Sequence, residues 1–176
     1  STEPRKESEV RNAHNMLVTE LLNERYPTGI PTLDDRLDGG VYTGSLIGVT
    51  ASPDSRSELL LHAFLSTNRH TTYITTERSE QMTHTQINNS EIASSAPTPE
   101  IKHIDSVDGL SYTETLEDPK QLIGSLPRKS NLIVDSMDRL EQSDKETYVS
   151  FMNTICEEVQ NSSSFAMFHM LDRTPA

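Results

Sequence analysis

The residues whose types and spacing bear most directly on chemistry lie in residues 46–61, Leu-Ile-Gly-Val-Thr-Ala-Ser-Pro-Asp-Ser-Arg-Ser-Glu-Leu-Leu-Leu. The pattern predicts a buried strand, a tight turn and a helix with a strongly apolar first turn. A helix N-terminus that follows a strand suits an anion, because unsatisfied N–H groups and the positive end of the helix dipole face it. A working phosphate loop also needs glycines for close backbone approach, a lysine for the β/γ-phosphates and a Ser/Thr hydroxyl for magnesium. Between Val49 and Leu61 there is neither glycine nor lysine, and Ser57-Glu58 stand where Lys-Ser/Thr would open the helix. Ala51, Ser52, Pro53, Asp54, Ser55, Arg56, Ser57 and Glu58 therefore read as a vestigial phosphate loop. Ser55-Arg56-Ser57-Glu58 fits a capping box, with the Ser55 hydroxyl taking one orphan N–H and Glu58 reaching back for another. A carboxylate at that end is stabilised by roughly 0.3–1 kcal/mol, and Asp54 adds a second charge that repels a triphosphate. The expectation is a cradle filled by its own acidic cap, with Arg56 as a substitute cation under the alternative reading.

The chain has 176 residues, enough for one domain with a core and too few for two comfortable ones. Its formal charge is −12, with 27 acidic against 15 basic residues, which argues against a nonspecific nucleic-acid surface. The single cysteine, Cys156, excludes an intrachain disulfide and falls in a helical apolar stripe, where a small core residue is expected. His14, His62, His70, His84, His103 and His169 lack metal-ligand spacing with cysteine or carboxylate, so no metal is expected. Serines are plentiful, but none sits in a Gly-x-Ser-x-Gly elbow. No apolar run approaches membrane-spanning length, and the charged N-terminus lacks a secretory apolar region. A soluble, cytoplasmic protein is expected.

Apolar residues Val10, Leu17, Val18, Leu21 and Leu22 recur at helical spacing and predict an amphipathic helix over residues 8–25. It serves either to cover a sheet face or to dock a partner. The remainder alternates strand and helix, as a parallel α/β sheet requires. Strands are expected at 71–76, 101–105, 131–135 and 164–171, after the first at 46–51. Helices are expected at 58–68, 79–89 and 116–126, and from a capping box at Ser143-Asp144-Lys145-Glu146 to about residue 161. The inward face of that last helix should carry Tyr148, Phe151, Met152, Ile155, Cys156 and Val159. Residues 90–100 and 106–115 read as loop and irregular chain.

Before the first strand the sequence reads Thr28-Gly29-Ile30-Pro31-Thr32-Leu33-Asp34-Asp35-Arg36-Leu37-Asp38-Gly39-Gly40, then Gly44-Ser45-Leu46. This stretch, followed by an apolar strand and a loop, resembles the entry to the RecA-type ATPase core, closest to KaiC-like and RadA-like archaeal members. The resemblance covers about residues 28–171. It implies a three-layer αβα core with a mainly parallel sheet of about five strands, preceded by the N-terminal helix. Residues 1–27 form the leading segment, and residues 28–176 a core truncated at its C-terminus. The acid-rich composition, with only five lysines against ten arginines, is similar to that of proteins from salt-loving archaea.

The resemblance also assigns two further positions at the carboxyl edge of the sheet, where open α/β folds bind ligands. Asp135, closing the apolar run Leu132-Ile133-Val134, corresponds to the carboxylate that assists magnesium. Glu77 corresponds to one of a glutamate pair that orients the attacking water, the other having become Arg78. Asp135 alternatively caps a turn or pairs with Arg78 or Arg56, and Glu77 alternatively forms a structural ion pair. His169 is placed near the same edge. Without the loop lysine no turnover is expected, since phosphoryl transfer depends on positioning and electrostatics.

The expectation is a non-catalytic regulatory or scaffold subunit without cofactor. It would act through protein–protein contacts in signalling, gene regulation or recombination, as a homo-oligomer or with an active RecA-like partner. Recombinases of that superfamily continue with DNA-holding loops, which this sequence does not carry after Leu171, so direct nucleic-acid binding is not expected. The alternative is an unorthodox ATP-binding protein or weak ATPase using Arg56, Glu77 and Asp135 with ATP and magnesium. A peptide or small-metabolite role unrelated to ancestry is the third possibility, because fold does not fix function.

Overall fold

Alternation between apolar strand runs and helices of matching period builds the molecule outward from one sheet. The structure, a computed structural model, describes residues 7–13, 24–104 and 112–173. Five strands, β1 (Leu46–Ala51), β2 (Thr71–Thr75), β3 (Glu100–His103), β4 (Asn131–Asp135) and β5 (Phe165–Leu171), form one sheet in the order β1-β5-β4-β2-β3. Every pairing is parallel. Strands β2 and β4 are buried at every residue, as expected of inner parallel strands, with Thr-Thr-Tyr-Ile-Thr in β2 and the apolar run Leu132-Ile133-Val134 between Asn131 and Asp135 in β4. β1 lies at one margin with Leu46, Gly48 and Thr50 exposed, and none of its six residues is charged.

Helices cover both faces, giving three layers. Odd-numbered strand residues Tyr73, Ile101, Ile133, Phe165 and Met167 pack against α2 (Glu58–Leu65) and α3 (Glu80–Asn88) through Leu61, Phe64, Leu65 and Ile87. Even-numbered residues Ile74, Leu132, Val134, Ala166 and Phe168 face the other way. They meet α4 (Tyr112–Leu116), α5 (Pro119–Ile123), α6 (Met137–Leu140) and α7 (Lys145–Asn161). The period of two along each strand thus divides the core into two apolar halves. On α7, Phe151, Ile155 and Val159 are fully buried, Tyr148 and Met152 are partly so, and Cys156 is half-buried.

The expected strands and longer helices are present within a few residues of their anticipated ends, and the α/β class is the expected one. Four local expectations differ. A short helix, α1 (Pro31–Arg36), occupies what read as lead-in chain; it starts with proline at its first position and buries none of its residues. α4 lies in a stretch that read as irregular, of which residues 105–111 fall outside the described residues. The cap of α7 is Asp144, whose carboxylate accepts the Thr147 N–H at 3.2 Å. Ser143 is diverted to the preceding helix, its hydroxyl donating to Leu140 O at 2.6 Å. Of the N-terminal helix, residues 8–13 are helical and exposed, Glu24 and Arg25 are not helical, and residues 14–23 lie outside the described residues.

The glycines of the entry segment have a packing role. Thr28 donates through both its N–H and its hydroxyl to Asp34 Oδ1, at 2.8 and 2.6 Å, folding the segment back on α1. Gly29, at φ +84°, presses against α2: a Cβ there would lie 2.0 Å from the Ala63 carbonyl oxygen. Gly40, at φ +133°, lies as tightly against Tyr26, whose N–H and C=O exchange 2.8 Å bonds with Val41. Gly39 differs: its φ is +109°, but the nearest atom to an added Cβ is 3.7 Å away. Gly29→Ala is therefore expected to lower the unfolding free energy by more than about 2 kcal/mol, from the left-handed backbone plus a backbone collision. Gly39→Ala should cost only the conformational part, about 1–2 kcal/mol. Urea unfolding midpoints of the two variants check this ordering.

Candidate functional site

The strand–turn–helix at residues 46–61 folds as expected, but its polar groups are used differently. β1 ends at Ala51, and Ser52 to Arg56 project into solvent as a turn closed by a 3.1 Å bond from Ser55 N to Ser52 O. The capping box does not form. The Ser55 hydroxyl donates to Ser52 O at 2.7 Å, serving its own turn. Ser57 is the residue before α2, and its side chain makes no capping bond either. Glu58 stands at the first helical position, where its charge complements the helix dipole. The first backbone hydrogen bonds of the helix run from Leu59 N to Arg56 O and from Leu60 N to Ser57 O, at 3.1 and 2.9 Å. The N–H groups of Ser57 and Glu58 have no acceptor among the described residues, as is usual in a first turn.

Ser57 turns inward because a buried imidazole waits there. Its Oγ lies 2.7 Å from His169 Nε2, and His169 Nδ1 lies 2.9 Å from Asp135 Oδ1. Tyr73 donates its hydroxyl to the other carboxylate oxygen, Asp135 Oδ2, at 3.2 Å. Strand register builds this chain: Asp135 pairs with His169 across β4 and β5, and with Thr75 across β4 and β2. Tyr73, Asp135 and His169 share odd-numbered parity and so lie on the α2 face. All four residues are buried, Ser57 being 8 % exposed and His169 and Asp135 each 3 %. Burial first, and then the Asp135 carboxylate, pushes the Tyr73 hydroxyl well above its ordinary pKa of 10.0, which keeps the proton on its oxygen.

A second network lies one residue further along. The peptide joining Asp135 to Ser136 is cis. Ser136 donates through Oγ to Glu77 Oε1 at 2.7 Å, and Arg139 Nε reaches the same oxygen at 3.1 Å. Arg173 Nη2 also bonds Glu77 Oε1, while its Nε donates to Asp138 Oδ2 at 2.6 Å. Asp138 further accepts the Leu171 N–H at 3.0 Å. Burial opposes the charge on Asp138, but these donors outweigh it and hold its carboxyl below the ordinary 3.8. Thr76 staples the two strand ends, its N–H donating to Asp135 O at 2.7 Å and its Oγ1 accepting from Ser136 N at 3.0 Å.

Each position singled out from sequence is thus at the carboxyl edge, in two groups. Ser57 and Asp135 are brought together through His169. Glu77 is held apart by Arg139 and Arg173, in the structural ion pair that stood as its alternative reading. Asp135 pairs with His169, which shares its sheet register, and with Tyr73, rather than with Arg56 or Arg78. Among the described residues no group of three His, Cys, Asp or Glu side chains gathers as a metal site, and no helix is long and apolar enough to cross a membrane.

The model of a family of unknown function, DUF7125, matches residues 25–176. The chain belongs to this family. No curated protein matches it. The DUF7125 match takes in the whole entry segment, all five strands and both polar networks.

One more residue at this edge of the DUF7125 chain was not separated from the other histidines by sequence. His62, on α2, is buried, and its Nδ1 has no hydrogen-bond partner. It lines a cleft of about 600 Å³ with Arg56, Glu58, Leu59, Gln86 and Ile92. Burial lowers its pKa below the ordinary 6.5, with Arg78 acting in the same direction and Glu58 and Asp135 opposing. The unfolded chain therefore takes a proton on His62 at a pH where the folded chain resists it. Its contribution is fully present above about pH 6.5 and is lost as pH falls below that value toward the folded pKa. His62→Gln should shrink the fall in urea midpoint between about pH 7.5 and about pH 5.5 relative to the unaltered chain. An equal fall in both proteins would remove His62 from the account.

Proposed function

We propose that this DUF7125 chain is a RecA/KaiC-like module that has given up nucleotide chemistry and acts as a regulatory or scaffold subunit through protein–protein contacts. One observation carries the reading. All three positions that the resemblance assigns to nucleotide, magnesium and water are engaged by the chain's own side chains. Ser57 stands where the phosphate-binding lysine would be and bonds His169. Asp135 is enclosed by His169 and Tyr73, and Glu77 by Ser136, Arg139 and Arg173. A triphosphate with magnesium would have to break these bonds and desolvate against Asp54, Glu58 and Glu77, with Arg56 as the loop's own cation. Charge repulsion and the cost of unpairing buried groups act in the same direction.

The order β1-β5-β4-β2-β3, with the loop strand outermost beside β5, supports the same ancestry, as does the entry segment kept as a packing device around Gly29 and Gly40. A RecA-like edge that no longer turns over is suited to persist as an interface, either between copies of this chain or with an active RecA-like partner in signalling, gene regulation or recombination. The alternative ATP-binding reading through Arg56, Glu77 and Asp135 requires Glu77 and Asp135 to leave their present partners.

A fluorescent ATP analogue with magnesium, titrated at molar salt, tests the proposal. No saturable binding is expected in the unaltered chain up to about millimolar ligand, a free-energy gain under about 4 kcal/mol. Binding that appears only in the Ser57→Lys, Glu58→Thr double variant supports a lost site. Micromolar binding by the unaltered chain, abolished by Asp135→Ala, overturns the proposal. Light scattering in molar salt reads the interface part: a strict monomer that also binds no added RecA-like protein counts against it.

A further inference from the structure

We infer that Ser57, His169 and Asp135 form an acyl-transfer site, with Ser57 as the nucleophile and small neutral esters as the substrate class. The inference goes beyond the proposed scaffold role and does not rest on it, since neither kinship nor nucleotide binding enters the argument.

The three side chains meet in the order nucleophile, base, orienting carboxylate. They come from three separate elements, 112 and 34 residues apart in the pairs Ser57–His169 and Asp135–His169. The hydrogen-bond network assigns the tautomer. Tyr73 takes one carboxylate oxygen of Asp135 as a donor, and the other accepts the His169 Nδ1–H. That leaves the Nε2 lone pair directed at the Ser57 hydroxyl at 2.7 Å, within the reach a general base requires. Ser57 follows a strand and a turn and precedes an eight-residue helix, α2. The N–H groups of Ser57 and Glu58, which have no acceptor among the described residues, are available to donate to a developing oxyanion.

Arg56 and Glu58, on either side of Ser57 in the chain, line the 600 Å³ cleft together with His62, while Ser57 itself, 8 % exposed, is not among the lining residues. Leu59 and Ile92 are partly exposed apolar groups there, and the single arginine is offset by Glu58 and Glu91. With two carboxylates against one guanidinium, the cleft disfavours anions and so favours a neutral ester over a phosphate or carboxylate ligand.

In the acylation step the Ser57 Oγ–carbon bond forms, and the hydroxyl proton passes to His169 Nε2. The ester C–O bond then breaks, and the departing alcohol takes that proton. Water attacks the acyl-serine, again giving its proton to Nε2, and release of the carboxylic acid restores the serine. No electrons are transferred, and water is the only co-reactant.

The test is covalent labelling of the folded full chain with a fluorophosphonate probe, read by intact mass and peptide mapping. One adduct, on Ser57, is expected. It should vanish in Ser57→Ala, form at about the same rate in Ser55→Ala, and form about 10²-fold or more slowly in His169→Gln, the scale of a lost general base. p-Nitrophenyl acetate hydrolysis should follow the same order. If His169→Gln does not fold by circular dichroism, Asp135→Asn takes its place with the same expected slowing. No adduct on Ser57 in folded protein, or an undiminished rate in the base variant, overturns the inference and leaves the chain as a buried structural fastening.

Discussion

A carboxylate placed in the middle of a parallel sheet sets the terms for this fold's functional edge. Asp135 ends the central strand β4, with β2 on one side and β5 on the other, and is almost wholly buried. An unpaired carboxylate in such a place costs several kcal/mol, so the neighbouring strands must supply donors. His169 supplies one from β5, at the residue the register sets beside Asp135, and Tyr73 the other from β2, two residues before the register partner Thr75 and on the same face. The imidazole then has a second nitrogen to satisfy, and Ser57 is drawn in from the start of α2. The turn before α2 gives up side-chain capping as a result.

The same dependence explains why two adjacent residues serve two separate networks. Asp135 faces α2, while Ser136 bonds Glu77 and, through it, Arg139 and Arg173. Asp138 and Leu171 extend that outer group to the end of β5. The carboxyl edge is therefore ordered by side chains rather than by glycine-rich backbone. That sets it apart from a loop built to wrap an anion.

Much of the architecture was legible because it is written in periodicity. The unbroken runs Thr71–Thr75 and Asn131–Asp135 mark inner strands, and the spacing of Phe151, Ile155 and Val159 marks a long helix with one buried face. Short elements without such a signal escaped: α1 buries nothing, so no apolar pattern announced it. The caps were misread for a related reason. Ser55 and Ser57 both fit a helix start, as do Ser143 and Asp144, and only tertiary neighbours decide between them. His169 was placed near the site but its partners were not, since pairing across 34 and 112 residues requires knowing which strands are adjacent. The parity of Asp135 and His169 near the ends of their strands was the available signal, and it becomes readable only once β4 and β5 are known to be neighbours.

The marginal strand β1 bears on solution behaviour. It displays an outer row of peptide groups along six uncharged residues, without the lysine, proline or inward charge that commonly guards such a border. Among the described residues no further strand pairs with it, and net charge adds a global term: at −12, every copy repels every other. That repulsion reaches about 8 Å at physiological ionic strength and only about 3 Å in molar salt. Colloidal protection of this margin therefore weakens as salt rises, whereas the hydrogen bonds of the largely buried Ser57–His169–Asp135 chain are screened much less.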